Sequence, residues 1–381
     1  MIPVLWVTGP GGVGKSTVSW QIFTDLTRHG VQAAFTDTDQ FCICYPAPPD
    51  DPCREQIKAQ NIGALVPRYR AAGAQCVIAN GVLDPTVGVR SSLMPEATVT
   101  VCRLRVDRDE LARRFIERDG SGDDADHRLR ETLDEADAMD ASGFADLCID
   151  TSGITAAEVA RLLRQSCRDW PGFGGGLPEA RPVPGPPPSA SGAGGEVLLL
   201  CGPTGVGKST IGFQVYRRCL RAGLVAAYLD LGQIGMLRPG SPADPGNHWL
   251  KAGNLAAMWR TFHAAGARHL VATGSIENEA ILRAYVEAVP AARVIICRLH
   301  AGPVDLTRRV ISRGAGGSWP EPGDPLLGQP AGYLRRAADQ AIVSADALER
   351  LGLGTVRINT DGRSVTQSAD AIAAALSWPR P

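Results

Sequence analysis

The residues best suited to chemistry stand in the run Gly9-Pro10-Gly11-Gly12-Val13-Gly14-Lys15-Ser16-Thr17. They recur as Gly202-Pro203-Thr204-Gly205-Val206-Gly207-Lys208-Ser209-Thr210, 193 positions further on. Glycines at this spacing let successive backbone N–H groups turn inward around an anion, and a helix that follows adds the positive end of its dipole. Read as phosphate-binding loops, these runs supply a backbone cradle. Lys15 and Lys208 would reach the β- and γ-phosphates of a nucleoside triphosphate such as ATP, and Ser16 and Ser209 would each place a hydroxyl on Mg²⁺.

Such a loop works only between a buried strand and a helix, and both copies have that context. Val4-Leu5-Trp6-Val7-Thr8 and Val197-Leu198-Leu199-Leu200-Cys201 are unbroken apolar runs, the pattern of a strand covered on both faces. Behind the loops, Val18, Ile22 and Leu26, and Ile211, Val215 and Cys219, recur at helical spacing and stop before Gly30 and Gly223.

The repeat extends well beyond the loops. Gly30 to Gln40 aligns with Gly223 to Gln233 without a gap, predicting second strands that end in Asp37 and Asp39 in one half and in Asp230 in the other, where Gly232 replaces the second aspartate. Residues Cys42 to Cys53 and Gly235 to Gly246 are rich in Pro, Gly and Asp and read as irregular loops on the substrate side. Helices then begin near Lys58 and Lys251. With Lys15 and Lys208 these are the chain's four lysines, and they pair at the same offset. Asn61 and Asn254 follow three residues on, with helix-surface or capping roles as the plain alternative. Third strands at Cys76–Gly81 and His269–Gly274 end without an aspartate, unlike motor-type ATPases. Fourth strands end in Cys102-Arg103-Leu104 and Cys297-Arg298-Leu299. Arginines mark the next helix in each half: Arg113, Arg114 and Arg118, matched by Arg308, Arg309 and Arg313. Polar segments (Gly120 to Asp126, Gly314 to Pro330) that read as mobile come next, and then fifth strands.

These elements predict an α/β fold: two three-layer domains over residues 1–169 and 196–381, each with a mostly parallel five-stranded sheet and its ligand at the carboxyl ends of the strands. Residues 170–195 contain Gly174-Gly175-Gly176 and Pro186-Pro187-Pro188 and read as a linker whose reach permits contact between the domains without fixing it. The 381 residues carry a net charge of −1, which argues against a nucleic-acid or membrane role resting on bulk charge. Met1 leads straight into a strand and no long apolar window follows, so a cytoplasmic location is expected. The ten cysteines are scattered, five of them (Cys76, Cys102, Cys148, Cys201, Cys297) in expected core strands. Cys42, Cys44 and Cys53 lack a partner pair at zinc-finger spacing.

On the two loops, Asp37-Thr38-Asp39, Asp230, the arginine helices and Asp150-Thr151-Ser152-Gly153, each half resembles the P-loop small-molecule kinases: nucleoside monophosphate kinases, adenylylsulfate kinase, gluconate kinase and chloramphenicol phosphotransferase. The resemblance implies ATP over the loop and a lid whose Arg113 and Arg118, or Arg308 and Arg313, face the transferred phosphate. It also implies that Asp37 and Asp39, or Asp230, contact the acceptor or the metal. An ATP-dependent phosphotransferase acting on a small molecule is therefore expected. A nucleotide-sensing protein with one or both halves non-catalytic is the alternative. An ATPase that moves a partner is disfavoured by the third strands.

Overall fold

A computed structural model describes residues 1–120, 122–176, 193–317 and 323–379. The chain divides into two compact units. The first draws its described residues from Met1–Cys42, Asp51–Gly185 and Gly235–Asn247, the second from Ile43–Asp50, Pro186–Ile234 and His248–Pro381.

In the first unit β1 (Ile2–Thr8) is buried at every position, as its unbroken apolar run requires. It is followed by α1 (Lys15–Arg28) and β2 (Ala33–Asp37). After α2 (Glu55–Ala71) come β4 (Cys76–Asn80) and β5 (Ala97–Arg105), where β3 denotes Cys44–Tyr45. Helices α3 (Arg108–Asp119) and α4 (Asp123–Asp140), then β6 (Leu147–Asp150) and α5 (Ala156–Ser166), complete it. The second unit repeats the plan with β7 (Glu196–Cys201), α6 (Lys208–Arg221), β8 (Ala226–Asp230), α7 (His248–Ala264), β10 (His269–Thr273) and α8 (Glu279–Ala288), where β9 denotes Met236–Arg238. It ends with β11 (Arg293–His300), α9 (Pro303–Gly314), α10 (Ala331–Leu351), β12 (Val356–Asn359) and α11 (Val365–Leu376).

The sheets run β6-β5-β1-β4-β2-β9 and β12-β11-β7-β10-β8-β3, parallel except for the last strand of each. Val4 stands beside Val77 on one side and Val99 on the other, which puts β1 and its glycine-rich loop at the centre. The order reverses beside β1, the place where open α/β sheets leave a crevice for ligands.

Three expectations are corrected. Each sheet has six strands, not five. The segments read as irregular loops carry β3 and β9, two and three residues long, each just before a proline that biases its predecessor to extended backbone. β9 belongs to the first unit, pairing Leu237 with Ala34, and β3 to the second, pairing Cys44 with Ala227. Each covers a sheet edge that would otherwise present unpaired backbone groups. The Arg238 guanidinium lies 5.3 Å from the ring centre of Trp20, and Gln32 Nε2 donates to Pro239 O at 3.0 Å. Second, α4 takes up Asp123 to Asp126 of the first segment read as mobile, and α10, which the sequence reading lacked, starts at Ala331 directly after the second, residues 121 and 318–322 lying outside the described set. Third, Cys148 is exposed, because β6 is an edge strand.

The composition-based linker starts too early. Trp170 is buried in the first unit's core against Phe173, with ring centres 4.9 Å apart, and Trp259 Nε1 donates to Ala193 O at 3.1 Å in the second. Residues 177–192, the rest of that segment, lie outside the described residues.

Candidate functional site: two glycine-rich loops at the strand tips

Both loops leave the carboxyl end of a central strand. Gly9 (φ +146°) and Gly202 (φ +149°) lie so close to the neighbouring strand that a Cβ would sit 2.5 Å from Leu104 O and 2.6 Å from Leu299 O, so only glycine fits. Helices α1 and α6 begin directly after Gly14 and Gly207 with no side-chain cap, leaving first-turn N–H groups for an anion. Lys15 Nζ donates to Gly9 O (2.8 Å) and Pro10 O (3.0 Å), and Lys208 Nζ to Gly202 O and Pro203 O (3.0 Å each). Burial pulls the Lys15 ammonium below its ordinary pKa, against the nearby carboxylates of Asp39, Glu135 and Asp37.

In the first unit, β2 delivers two carboxylates beside the loop. Asp37 is buried, and its pKa is pushed up to about 7 by desolvation first and the Asp39 charge second. Hydrogen bonding from the Asp39 N–H and the Lys15 charge oppose the rise. Asp39 Oδ1 accepts from Val82 N at 3.1 Å and lies 3.8 Å from Lys58 Nζ. Lys58 is itself buried, donating to Glu55 Oε1 and Val82 O at 2.8 Å each. Burial would lower its pKa, yet Asp39, Cys42 and Glu55 together hold it above the ordinary value. Ser16 Oγ donates to Asn80 Oδ1 (3.2 Å) at the tip of β4, the position where the sequence lacks an aspartate. Asn61 is no surface amide. It is fully buried and donates to Phe41 O at 2.6 Å, tying α2 to the turn after β2, and Asn254 repeats the bond to Ile234 O at 2.5 Å.

The second unit keeps the loop and changes the carboxylate side. Asp230 accepts from Ser209 Oγ (2.7 Å), Thr273 Oγ1 (2.9 Å) and the Gly232 N–H (2.8 Å). At the place of Glu55 stands His248, whose Nδ1 is 3.1 Å from Tyr285 Oη. A cavity of about 920 Å³ opens over this loop, lined by Lys208, Asp230, Lys251 and the arginine helix α9, among others.

The helical arginines divide by position. Arg114 donates to Val13 O (3.3 Å) and Thr151 O (3.1 Å), and Arg309 to Val206 O (3.2 Å) and Thr360 O (2.7 Å), so both clamp the loop to the turn after the last strand. Arg118 reaches the first loop: its Nη2 is 3.9 Å from where a Cβ on Gly11 would be. Arg313 donates through Nε to buried Asp324 (2.6 Å) and lines the second cavity. Arg113 instead pairs with Glu110 and Glu117 along its own exposed helix face, and Arg308 pairs with Asp305 (2.8 Å) while edging the cavity.

One residue of this site was absent from the sequence reading. Glu135 on α4 accepts a hydrogen bond from the Gly11 N–H and sits close enough to Lys15 to raise that ammonium's pKa. Burial comes first in lifting its own. Thr132, one turn earlier, lies 3.6 Å from where a Cβ on Gly11 would be. A carboxylate thus meets the Gly11 N–H of the first loop, the kind of backbone group that suits an anion. The hard oxygen donors beside the loops, Ser16 in one unit and Ser209 with Asp230 in the other, suit Mg²⁺ supplemented by phosphate oxygens and water. Among the described residues no group of three His, Cys, Asp or Glu side chains is placed to hold a metal, and no helix is long and apolar enough to cross a membrane.

Fold and site together define the class: α/β units of mostly parallel sheet, each with a glycine-rich loop at its strand tips leading into a helix. No protein-family model matches the chain, and no curated protein matches it. Among solved structures it is similar to the tunicamycin resistance protein of Deinococcus radiodurans (20% identity over 49% of this chain and 99% of that one, TM-score 0.34). It is also similar to shikimate kinase from Acinetobacter baumannii in complex with shikimate (18%, 44% and 93%, TM-score 0.30) and to a gluconokinase from Sinorhizobium meliloti 1021 (17%, 42% and 87%, TM-score 0.28). Two of these names are of kinases.

Proposed function

We propose that this chain is an ATP-dependent phosphotransferase acting on the hydroxyl of a small molecule, with the chemistry in the first unit. The observation that carries this reading is Asp37, a buried carboxylate whose pKa lies near 7, at the strand tip beside Lys15 and Ser16. A general base is most effective when its pKa lies near the working pH, and phosphoryl transfer otherwise asks for positioning and charge neutralisation. When bound, ATP supplies the phosphoryl group and Mg²⁺ neutralises its charge. Lys15, which donates to the carbonyls of Gly9 and Pro10 in this structure, would hold phosphate oxygens, and Ser16 would hold the metal. Arg118 approaches from the lid, Asp37 takes the acceptor proton, and Asp39, steadied by Lys58, orients the acceptor.

For the second unit a binding role is favoured by one specific difference. Asp230 already accepts three hydrogen bonds, from Ser209, Thr273 and the Gly232 N–H, so its oxygens are engaged within the protein, and Gly232 offers no second carboxylate. It is read as a nucleotide site that need not turn over. The test is ADP release from ATP across a panel of nucleosides, sugars, sulfate nucleotides and hydroxylated antibiotics, with Asp37→Asn as control. An acceptor that drives ADP release in the wild type and not in the variant supports the reading. Release that is indifferent to every acceptor and to Asp37 overturns it.

A further inference from the structure

Two short strands are carried by one half of the chain and paired in the unit formed mainly by the other. Asp230 ends β8 in the second unit, and after the turn 231–235 Met236 stands opposite Phe35, two positions before Asp37, at the edge of the first unit's sheet. There β9 is well fastened. Met236 packs against the first unit's core, Gln32 Nε2 donates to Pro239 O (3.0 Å), and Asn247 Nδ2 donates to Gly235 O (3.0 Å) and Leu237 O (3.1 Å). The first half does the same in the other direction. β2 ends at Asp37, and soon afterwards Ile43 O accepts from Tyr228 N (2.9 Å) and Cys44 stands opposite Ala227 in the second unit.

The turns that lead to these strands are held by matching bonds. Behind Asp230, Leu231 N donates to Thr273 O (2.8 Å), Gly232 N to Asp230 Oδ1 (2.8 Å) and Asn254 Nδ2 to Ile234 O (2.5 Å). Behind Asp37, Thr38 N donates to Asn80 O (2.7 Å), Asp39 N to Asp37 Oδ1 (3.0 Å) and Asn61 Nδ2 to Phe41 O (2.6 Å). A three-residue strand at a sheet edge is an element that opens locally. A turn so short and so fully bonded has little slack, so β9 leaves β2 only by pulling on the bonds behind Asp230. The same carboxylate accepts from Ser209 Oγ (2.7 Å), on the second glycine-rich loop.

From this connection we infer that a nucleotide on the second loop activates the first unit: by fixing Ser209 and Asp230 it holds the turn 231–235 in its bonded form, keeps β9 closed on β2, and so keeps Asp37 in place beside the first loop. The inference rests on the reading that the second loop holds a nucleotide it need not turn over, and it gives that site a task. Linkage makes the effect mutual: a nucleotide on the first loop tightens binding at the second by the same factor.

The experiment uses the full chain. In Lys15→Ala, Mg²⁺ and β,γ-imido-ATP fill the second loop alone, and amide hydrogen exchange is followed by mass spectrometry. Peptides covering Ala33–Asp37 and Met236–Arg238 should exchange about fivefold more slowly with nucleotide, while β6, at the opposite edge of the same sheet, keeps its rate. Lengthening the turn by Gly-Gly-Ser between Ile234 and Gly235 should abolish the slowing, with nucleotide affinity at the second loop within about threefold of the parent. Calorimetry adds a readout that needs no altered turn: first-loop affinity for Mg²⁺ and β,γ-imido-ATP should be about fivefold weaker in Lys208→Ala than in the wild type. A filled second loop that leaves both peptides unprotected, slowing that survives the longer turn, or equal first-loop affinities overturns the coupling alone. Failure of the nucleotide to bind in Lys15→Ala overturns the underlying reading with it.

Discussion

Replacing Asp37 by asparagine should remove activity and stabilise the protein at once. Burial and the Asp39 charge lift the Asp37 pKa from 3.8 to about 7, which at 1.36 kcal/mol per pH unit is about 4 kcal/mol as an upper bound. Because the folded value lies above the unfolded one, the stability this group contributes is fully present below pH 4. It is lost as pH rises through 7, where the native state must hold a buried carboxylate. Asparagine keeps the side-chain oxygen that accepts from the Asp39 N–H at 3.0 Å and carries no charge. Urea unfolding at pH 5 and pH 8 reads the effect. The wild type loses stability between the two, and in Asp37→Asn that loss shrinks by up to about 3 kcal/mol. Turnover falls by about 10²–10⁴-fold, the usual contribution of a positioned base. In the wild type the ionised fraction of a group with pKa 7 rises about tenfold from pH 6 to pH 8, so the acidic limb of the rate profile should follow it and vanish in the variant. An Asp37→Asn protein as pH-sensitive in stability as the wild type, or one that retains turnover, would refute the assignment.

Other outcomes follow from named contacts. With the second loop disabled by Lys208→Ala, Glu135→Gln removes the carboxylate charge that rests on Gly11 and Lys15, and ATP affinity measured by calorimetry should rise about tenfold or more. The same change in a Lys15→Ala background should leave binding at the second loop unaltered. Asp230→Asn weakens the oxygen donor beside Ser209, so it should lower the Mg²⁺-dependent part of ATP affinity at the second loop and spare ADP binding measured in EDTA. Asn61→Ala leaves the Phe41 carbonyl buried without its 2.6 Å donor and should cost about 1–3 kcal/mol in denaturant unfolding, without altering the acidic limb of the rate profile.

What could be read from the sequence was local and repeated. Each glycine-rich loop sits between an apolar run and a helical pattern, and two copies at a constant offset place β1, α1 and β2, and β7, α6 and β8, before any coordinates. The lid helices escaped because α4 is dense in charge: its apolar stripe, Ala125, Leu129, Leu133 and Ala136, is narrow, and the Gly/Pro run ahead of α10 masked a 21-residue helix. Edge strands of two and three residues have no periodicity to detect, and their partners lie nearly 200 residues away in the chain. Glu135 reaches the loop only once α4 has packed. The raised pKa of Asp37 depends on burial that sequence spacing does not state.

The most direct measurement is the stoichiometry of Mg²⁺-ATP on the intact chain, read together with ADP release. The account predicts two nucleotides per wild-type chain and one in either Lys15→Ala or Lys208→Ala. Each substitution removes charge-assisted contacts worth about 1.5–3 kcal/mol, and acceptor-dependent ADP release should be lost in Lys15→Ala alone. A single site that survives both substitutions, or release that depends on Lys208 and not on Lys15, would contradict it.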